Sequence, residues 1–143
     1  MKNATNARDR LAKVIQNGAV LLHGSSVVYR NNDTWYPFRQ DSNFHYLTAW
    51  PEPDAHAVIV IRDSKSELHL FVQDRNEEME TWDGRRLGQE GALDQFGADK
   101  AHSYNNYQKQ LPQLLDGITD IYCDYSNSSF DRFDKKILNT AVP

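Results

Sequence analysis

Glu52, Asp54 and His56 place two carboxylates and an imidazole at i, i+2 and i+4. In a fully extended stretch such side chains share one face, and together they have the donor types that hold zinc or a harder cation. Pro51 and Pro53 interleave them, however, and proline is poorly placed inside a sheet. The segment therefore reads as a loop running into a strand. No HExxH and no Cys/His ligand spacing occurs elsewhere. Ser25-Ser26 follows His23 closely, yet the chain has no G-x-S-x-G elbow and no reactive-cysteine signature. Cys123, between apolar and aromatic neighbours, reads as a buried, inert thiol. Gly84 and Gly88 lie in a basic loop without a GxGxxG or P-loop lysine pattern, although Arg85 and Arg86 could hold an anion. We expect neither a catalytic residue nor a metal site in this chain.

Two other groupings point to recognition rather than bond-making. Asp33, Arg39 and Asp41 lie among aromatic residues, and the rigid guanidinium fork pairs well with carboxylates where water is partly excluded. An ion-pair network pinning an irregular loop is one reading of Arg39 and Asp41; for Asp33, an exposed functional role is the expectation. Trp82 stands between Glu80 and Asp83 in a highly charged stretch, with no periodic apolar partners in sequence. A rigid aromatic on a polar loop suits an interface or a ligand wall, while packing against its own loop is the alternative.

The elements that must position these residues follow from periodicity and punctuation. Residues 4–16 read as a helix with Leu11, Val14 and Ile15 inward and Gly18 as its stop. Ala19–Leu22 reads as a buried strand. Residues 24–41 are irregular, and Asp41 or Ser42 can cap a short helix carrying Phe44 and Leu47. Ala57–Arg62 and Glu67–Gln73 read as strands joined by the turn Asp63-Ser64-Lys65-Ser66. Val58-Ile59-Val60-Ile61 is apolar on both faces, which predicts a central strand covered on both sides. A charged loop over 74–88 leads to a helix over 89–96 that stops at Gly97. Then come a short strand at Ala101–Tyr104, a helix over Asn105–Leu115 stopped by Gly117, a strand at Thr119–Cys123, and a last helix over Ser128–Thr140. Strands alternating with helices predict an α/β fold with a mixed β-sheet flanked by helices.

The 143 residues suit one domain, 1–143. Hydrophobic content of 39% and aromatic content of 11% are enough for a core. No apolar run approaches the ~20 residues of a membrane span, and the polar start lacks an apolar signal segment. The single cysteine precludes an internal disulfide and suits a reducing compartment. A net charge of −4 gives no footprint for nucleic acid. The expectation is a cytoplasmic protein that binds neither membrane nor nucleic acid.

The run Arg30-Asn31-Asn32-Asp33, continuing through Tyr36-Pro37-Phe38-Arg39-Gln40-Asp41-Ser42-Asn43-Phe44 to Tyr46-Leu47-Thr48 and then Glu52-Pro53, resembles the N-terminal domain of Xaa-Pro aminopeptidases (aminopeptidase P) in the creatinase-like metallopeptidase family. Glu80-Thr81-Trp82-Asp83-Gly84-Arg85-Arg86-Leu87-Gly88 matches a second motif of that family, E-x-W-x-G-x-R-x-G. Ala49 departs from it, standing where glycine is usual; the implied reading is a backbone with no need of positive φ there. The resemblance implies a mixed sheet flanked by helices, related in architecture to ribonuclease H. It implies a non-catalytic domain whose parent is a metallopeptidase hydrolase, with two manganese ions in a C-terminal pita-bread domain absent from this chain. None of the metal ligands maps onto this sequence, so the isolated chain is expected to be inactive. The implied partners are that catalytic domain, neighbouring subunits of a dimer or tetramer, and peptides with proline at position two. Asp33 and Trp82, supported by Arg39, Arg85 and Arg86, would line the substrate pocket, in part across a subunit boundary. A stand-alone binding or assembly protein with the same fold is the alternative.

Overall fold

The computed structural model describes residues 2–27, 38–76, 78, 80, 84–124, 129–135 and 138. Asp33 and Trp82 lie outside these residues. A five-stranded mixed sheet organises the molecule, with β1 (Gly18–His23), β2 (His56–Arg62), β3 (Lys65–Val72), β4 (Lys100–Ser103) and β5 (Ile121–Cys123) in the order β4-β3-β2-β1-β5. β2 is central, antiparallel to both β1 and β3, while β4 and β5 add in parallel at the two edges. The two-sided apolar pattern of β2 is thereby explained: Val58, Ile59, Val60 and Ile61 are all buried.

One face of the sheet (Val20, Leu22, Ala57, Ile59, Ile61, Leu68, Leu70, Val72) is covered by α1 (Lys2–Ile15), α2 (Ser42–Thr48) and α3 (Gly88–Gln95), with Phe44 and Trp50 at the centre. The other face (Ala19, Leu21, Val58, Val60, Phe71) is covered by α4 (Tyr107–Leu114) through Tyr107 and Leu111, and by Phe133 of a π-helical turn, Phe130–Asp134. Residues 128, 136–137 and 139–140 of the expected closing helix lie outside the described residues.

α1 buries a different stripe from the one its larger residues suggest. Ala4, Ala7 and Ala12 are buried and Leu11 and Ile15 pack beside them, whereas Val14 is 80% exposed. Small residues at helical spacing let the helix axis sit close to the sheet. The stop after α1 is made by Gln16 (φ 66°), not by glycine. Gly18 serves a close approach instead: a Cβ there would lie 2.9 Å from the Asp120 carbonyl oxygen.

The β2–β3 connection is tighter than the expected four-residue turn. Asp63 and Ser64 both have positive φ (52° and 63°), the signature of a two-residue type I′ hairpin, so β3 begins at Lys65. Asn17 Oδ1 accepts from the Asp63 amide and the Gln16 carbonyl from the Ser64 amide, which offsets the missing glycine. Ala49 also departs from expectation. It adopts φ 61° as the left-handed C-cap of α2 and donates its N–H to the His45 carbonyl. The position does require positive φ, and alanine bears the strain.

Candidate functional site

Strand register places His23, His56, Phe71 and His102 in one row across β1–β4. The C-terminal ends of β1, β3, β4 and β5 therefore share one rim of the sheet, where α/β folds gather their ligand-binding loops. Described residues of three segments meet there: 24–27 with 38–55, 73–76 with 84–87, and the turn after β4.

The first segment is fixed by Gln40. Its Nε2 donates to the carbonyls of Trp50 (2.9 Å) and Glu52 (3.0 Å), while its Oε1 accepts from the amides of Ser25 (2.8 Å) and Asp41 (3.2 Å). Asp41 caps α2, its carboxylate accepting from the Phe44 amide at 3.0 Å. Thr48 Oγ1 donates to the Phe44 carbonyl (2.7 Å) and accepts from the Trp50 amide (3.1 Å). Of the pairing considered for Arg39 and Asp41, the structure shows an exposed Arg39 and a carboxylate engaged in capping. The Glu52/Asp54/His56 cluster comes apart in the same way. Glu52 Oε2 accepts from the Leu87 amide (2.9 Å), Asp54 bonds the Ser26 hydroxyl (2.5 Å), and His56 turns into the sheet's second face. Among the described residues no three His, Cys, Asp or Glu side chains are grouped to hold a metal ion.

The second segment is braced at both ends. Glu80 accepts from Arg75 through both oxygens (Nε 3.1 Å, Nη2 3.2 Å) and from the Arg86 amide (2.9 Å), and these bonds hold its carboxyl below the usual range. Arg86 Nη1 donates to the Asp74 carbonyl (3.2 Å). Asp74 accepts from Gln89 (2.9 Å) and Ser103 (2.8 Å). Glu78 and Glu80 are helical, the Glu80 amide donating to the Asn76 carbonyl (2.8 Å) and the Gly84 amide to the Glu80 carbonyl (3.0 Å), so the described residues of this stretch are tied together. A cleft of about 320 Å³ is lined by Asp54, Gln73, Asp74, Arg86, Ser103 and Tyr104. A second groove, of about 340 Å³, brings Arg85 and Arg86 together with Arg75, beside Glu90 and Asp94. Arg39 is not among the lining residues of either.

A buried polar cluster behind this rim is absent from the sequence reading. His23 Nε2 contacts Asp134 Oδ2 at 2.6 Å, His23 Nδ1 contacts His56 Nδ1 at 2.8 Å, and Tyr107 donates its hydroxyl to Asp134 Oδ1 at 2.7 Å. All four side chains are buried. Burial, with His23 and Arg132 nearby, pushes His56 down to about 2, so the ring is neutral. Burial and Asp134 raise the Tyr107 phenol, and burial raises the Cys123 thiol to about 11, which suits an inert thiol. Alternation along β1 and β2 puts His23 and His56 on one sheet face, a signal the sequence does hold. Asp134, 111 residues beyond His23, carries no such cue.

Fold and rim together describe a mixed α/β domain that offers braced loops and a polar cleft for contact. Residues 4–122 match the family described as "Aminopeptidase P, N-terminal domain", and the chain belongs to that family. It is 39% identical over 111 residues to the Xaa-Pro aminopeptidase of Haemophilus influenzae, and 37% over 118 residues to that of Escherichia coli, covering 78% and 80% of this chain. The chain spans 26% of the length of each of these relatives. The solved structure of aminopeptidase P from E. coli with the inhibitor Pro-Leu superposes with a TM-score of 0.89 at 31% identity, over 96% of this chain and 32% of that one. Proline aminopeptidase P II from Yersinia pestis gives 0.86 at 30% identity, over 99% and 32%. Both agree with the mixed sheet and flanking helices. Among the described residues no helix is long and apolar enough to cross a membrane.

Proposed function

We propose that this chain is the non-catalytic N-terminal domain of a manganese-dependent Xaa-Pro aminopeptidase, a cytoplasmic hydrolase that removes the residue preceding proline from peptide N-termini. Its work is to contact the catalytic domain and neighbouring subunits of a dimer or tetramer and to wall the approach to the active site. Such walls exclude water and select peptide ends without supplying chemistry. The observation that carries this reading is the family match over residues 4–122, in a chain spanning about a quarter of relatives named Xaa-Pro aminopeptidases. The bonds from the Arg86 amide to Glu80 and from the Leu87 amide to Glu52 support it, since they fix described residues close to Trp82 in sequence. Asp33 and Trp82 are the proposed lining residues, with Arg39, Arg85 and Arg86 in support. The manganese ions belong outside this chain.

Two assays test the reading. The purified chain with manganese is expected to leave Xaa-Pro peptides intact, and turnover would overturn the non-catalytic assignment. An antibody raised against the chain is expected to precipitate, from its source cells, a polypeptide several times longer that cleaves such peptides. Precipitation of a polypeptide without that activity would remove the aminopeptidase reading.

A further inference from the structure

His56 lies between two phenol rings, stacked on Tyr104 at 4.4 Å and on Tyr107 at 4.2 Å, with the edge of Phe133 at 4.5 Å. Aromatic faces attract cations, so these walls do not by themselves forbid a charged imidazole. The constraint comes from the partner ring. The Nδ1 atoms of His23 and His56 are 2.8 Å apart, a distance that holds a single hydrogen between them. A carboxylate oxygen only accepts, so facing Asp134 at 2.6 Å it is His23 Nε2 that carries the hydrogen. If His23 is neutral, its Nδ1 is bare and His56 donates. If His23 is protonated, its Nδ1 donates and His56 accepts. A second proton would put hydrogens on both Nδ1 atoms and drive the rings apart. The closed cluster therefore accommodates at most one imidazolium, whereas two solvated histidines both ionise near their ordinary value of ~6.5.

The part of the cluster best placed to give way is the π-helical turn Phe130–Asp134. The strands are paired along their lengths and α4 is anchored by Tyr107 and Leu111, both buried in the second core. The turn reaches the cluster through Asp134 and through Phe133, which stacks on His23 at 5.6 Å. The other groups near His56 do not cancel a second charge. Tyr104 and Tyr107 are phenols with raised pKa values, Cys123 on β5 is a thiol raised to about 11, and Arg132 on the turn is a cation. Among the described residues Asp134 is the one buried carboxylate, already shared by His23 and Tyr107.

We propose that His23, His56 and Asp134 form a proton-operated latch, in which uptake of a second proton by the histidine pair releases the Phe130–Asp134 turn while the strands stay folded. Moderate acid thereby exposes Phe133 and the second face of the sheet.

Hydrogen exchange of this chain between pH 7.0 and 5.5, corrected for intrinsic rates, tests the latch above the ordinary carboxylate range. The opening constant over residues 129–135 is expected to rise by up to about tenfold per pH unit below ~6.5, as linkage to one proton requires. The amides of Val58–Ile61 should stay protected throughout. In His56→Phe, which keeps a flat ring between the phenols, the rise should vanish. A flat wild-type profile, a rise retained in His56→Phe, or exchange of Val58–Ile61 in step with the turn would each overturn the proposal. Should His56→Phe not fold, imidazole ¹⁵N spectra of the wild type decide: the latch requires the second imidazolium to appear together with loss of turn protection. Two imidazolium signals with the turn still protected would sink it.

Discussion

Ala49 holds φ at 61°, a conformation that costs an L-residue with a Cβ about 1 kcal/mol more than glycine. Removing that Cβ should relieve strain at no loss of contact with the core, because the cap bond uses only the backbone N–H to the His45 carbonyl. Ala49→Gly is therefore expected to stabilise the fold by about 1 kcal/mol in urea unfolding, less a few tenths for the freer unfolded chain. A destabilised variant would mean that the methyl group packs usefully where it stands. The neighbouring motif residues show what a dense sequence signal can conceal. Gln40, Asp41, Phe44 and Thr48 carry the family resemblance in sequence, and each has an internal partner or core position. Their identity announced the family, but not that their work here is to set the path of the loop.

At the level of elements, the central strand was legible because four consecutive apolar residues cannot all face water. The α1 stripe was not, because alanine at a tight helix–sheet contact carries a weaker signal than an exposed valine. The histidine cluster was hidden for a different reason: strand pairing joins His23 to His56 across 33 positions, and the third member arrives 111 residues away. The charged 74–88 stretch reads as a loop in sequence, yet Glu78 and Glu80 are helical and Gly88 opens α3, and its bracing depends on which carboxylate meets which amide. Glu80 is the hub of that bracing, accepting from the Arg75 fork and the Arg86 amide together. Glu80→Gln keeps the shape but loses the charge that holds the guanidinium. Exchange at residues 84–88 is expected to quicken severalfold with little change in melting temperature, since surface pairs contribute little to global stability. Unchanged exchange would mean that Glu52 and Asp74 hold the loop without it.

For the molecule as a whole, four of the five histidines lie on the second face of the sheet, and three of them, His56, His69 and His102, have lowered pKa values caused first by burial. A histidine depressed in the folded state binds its proton more readily once unfolded, so the stability tied to its neutral form is present above ~6.5 and lost as pH falls. For His56, held at about 2, linkage predicts a loss of about 2 kcal/mol between pH 6.5 and 5. His69 and His102 act in the same direction, although Glu67 at 2.7 Å from His69 opposes the shift there. Urea midpoints are expected to fall steadily over this window, ahead of the range where carboxylates titrate. The loss should shrink in His56→Phe, while the part due to His69 and His102 remains. A midpoint constant from pH 7 to 5 would require these rings to accept protons in place, which the Nδ1–Nδ1 contact between His23 and His56 opposes. The covered second face is thus both a hydrophobic core and the acid-sensitive layer of the domain. Its polar members are tolerated at neutral pH because each nitrogen and carboxylate in the His23–Asp134 pair meets a partner.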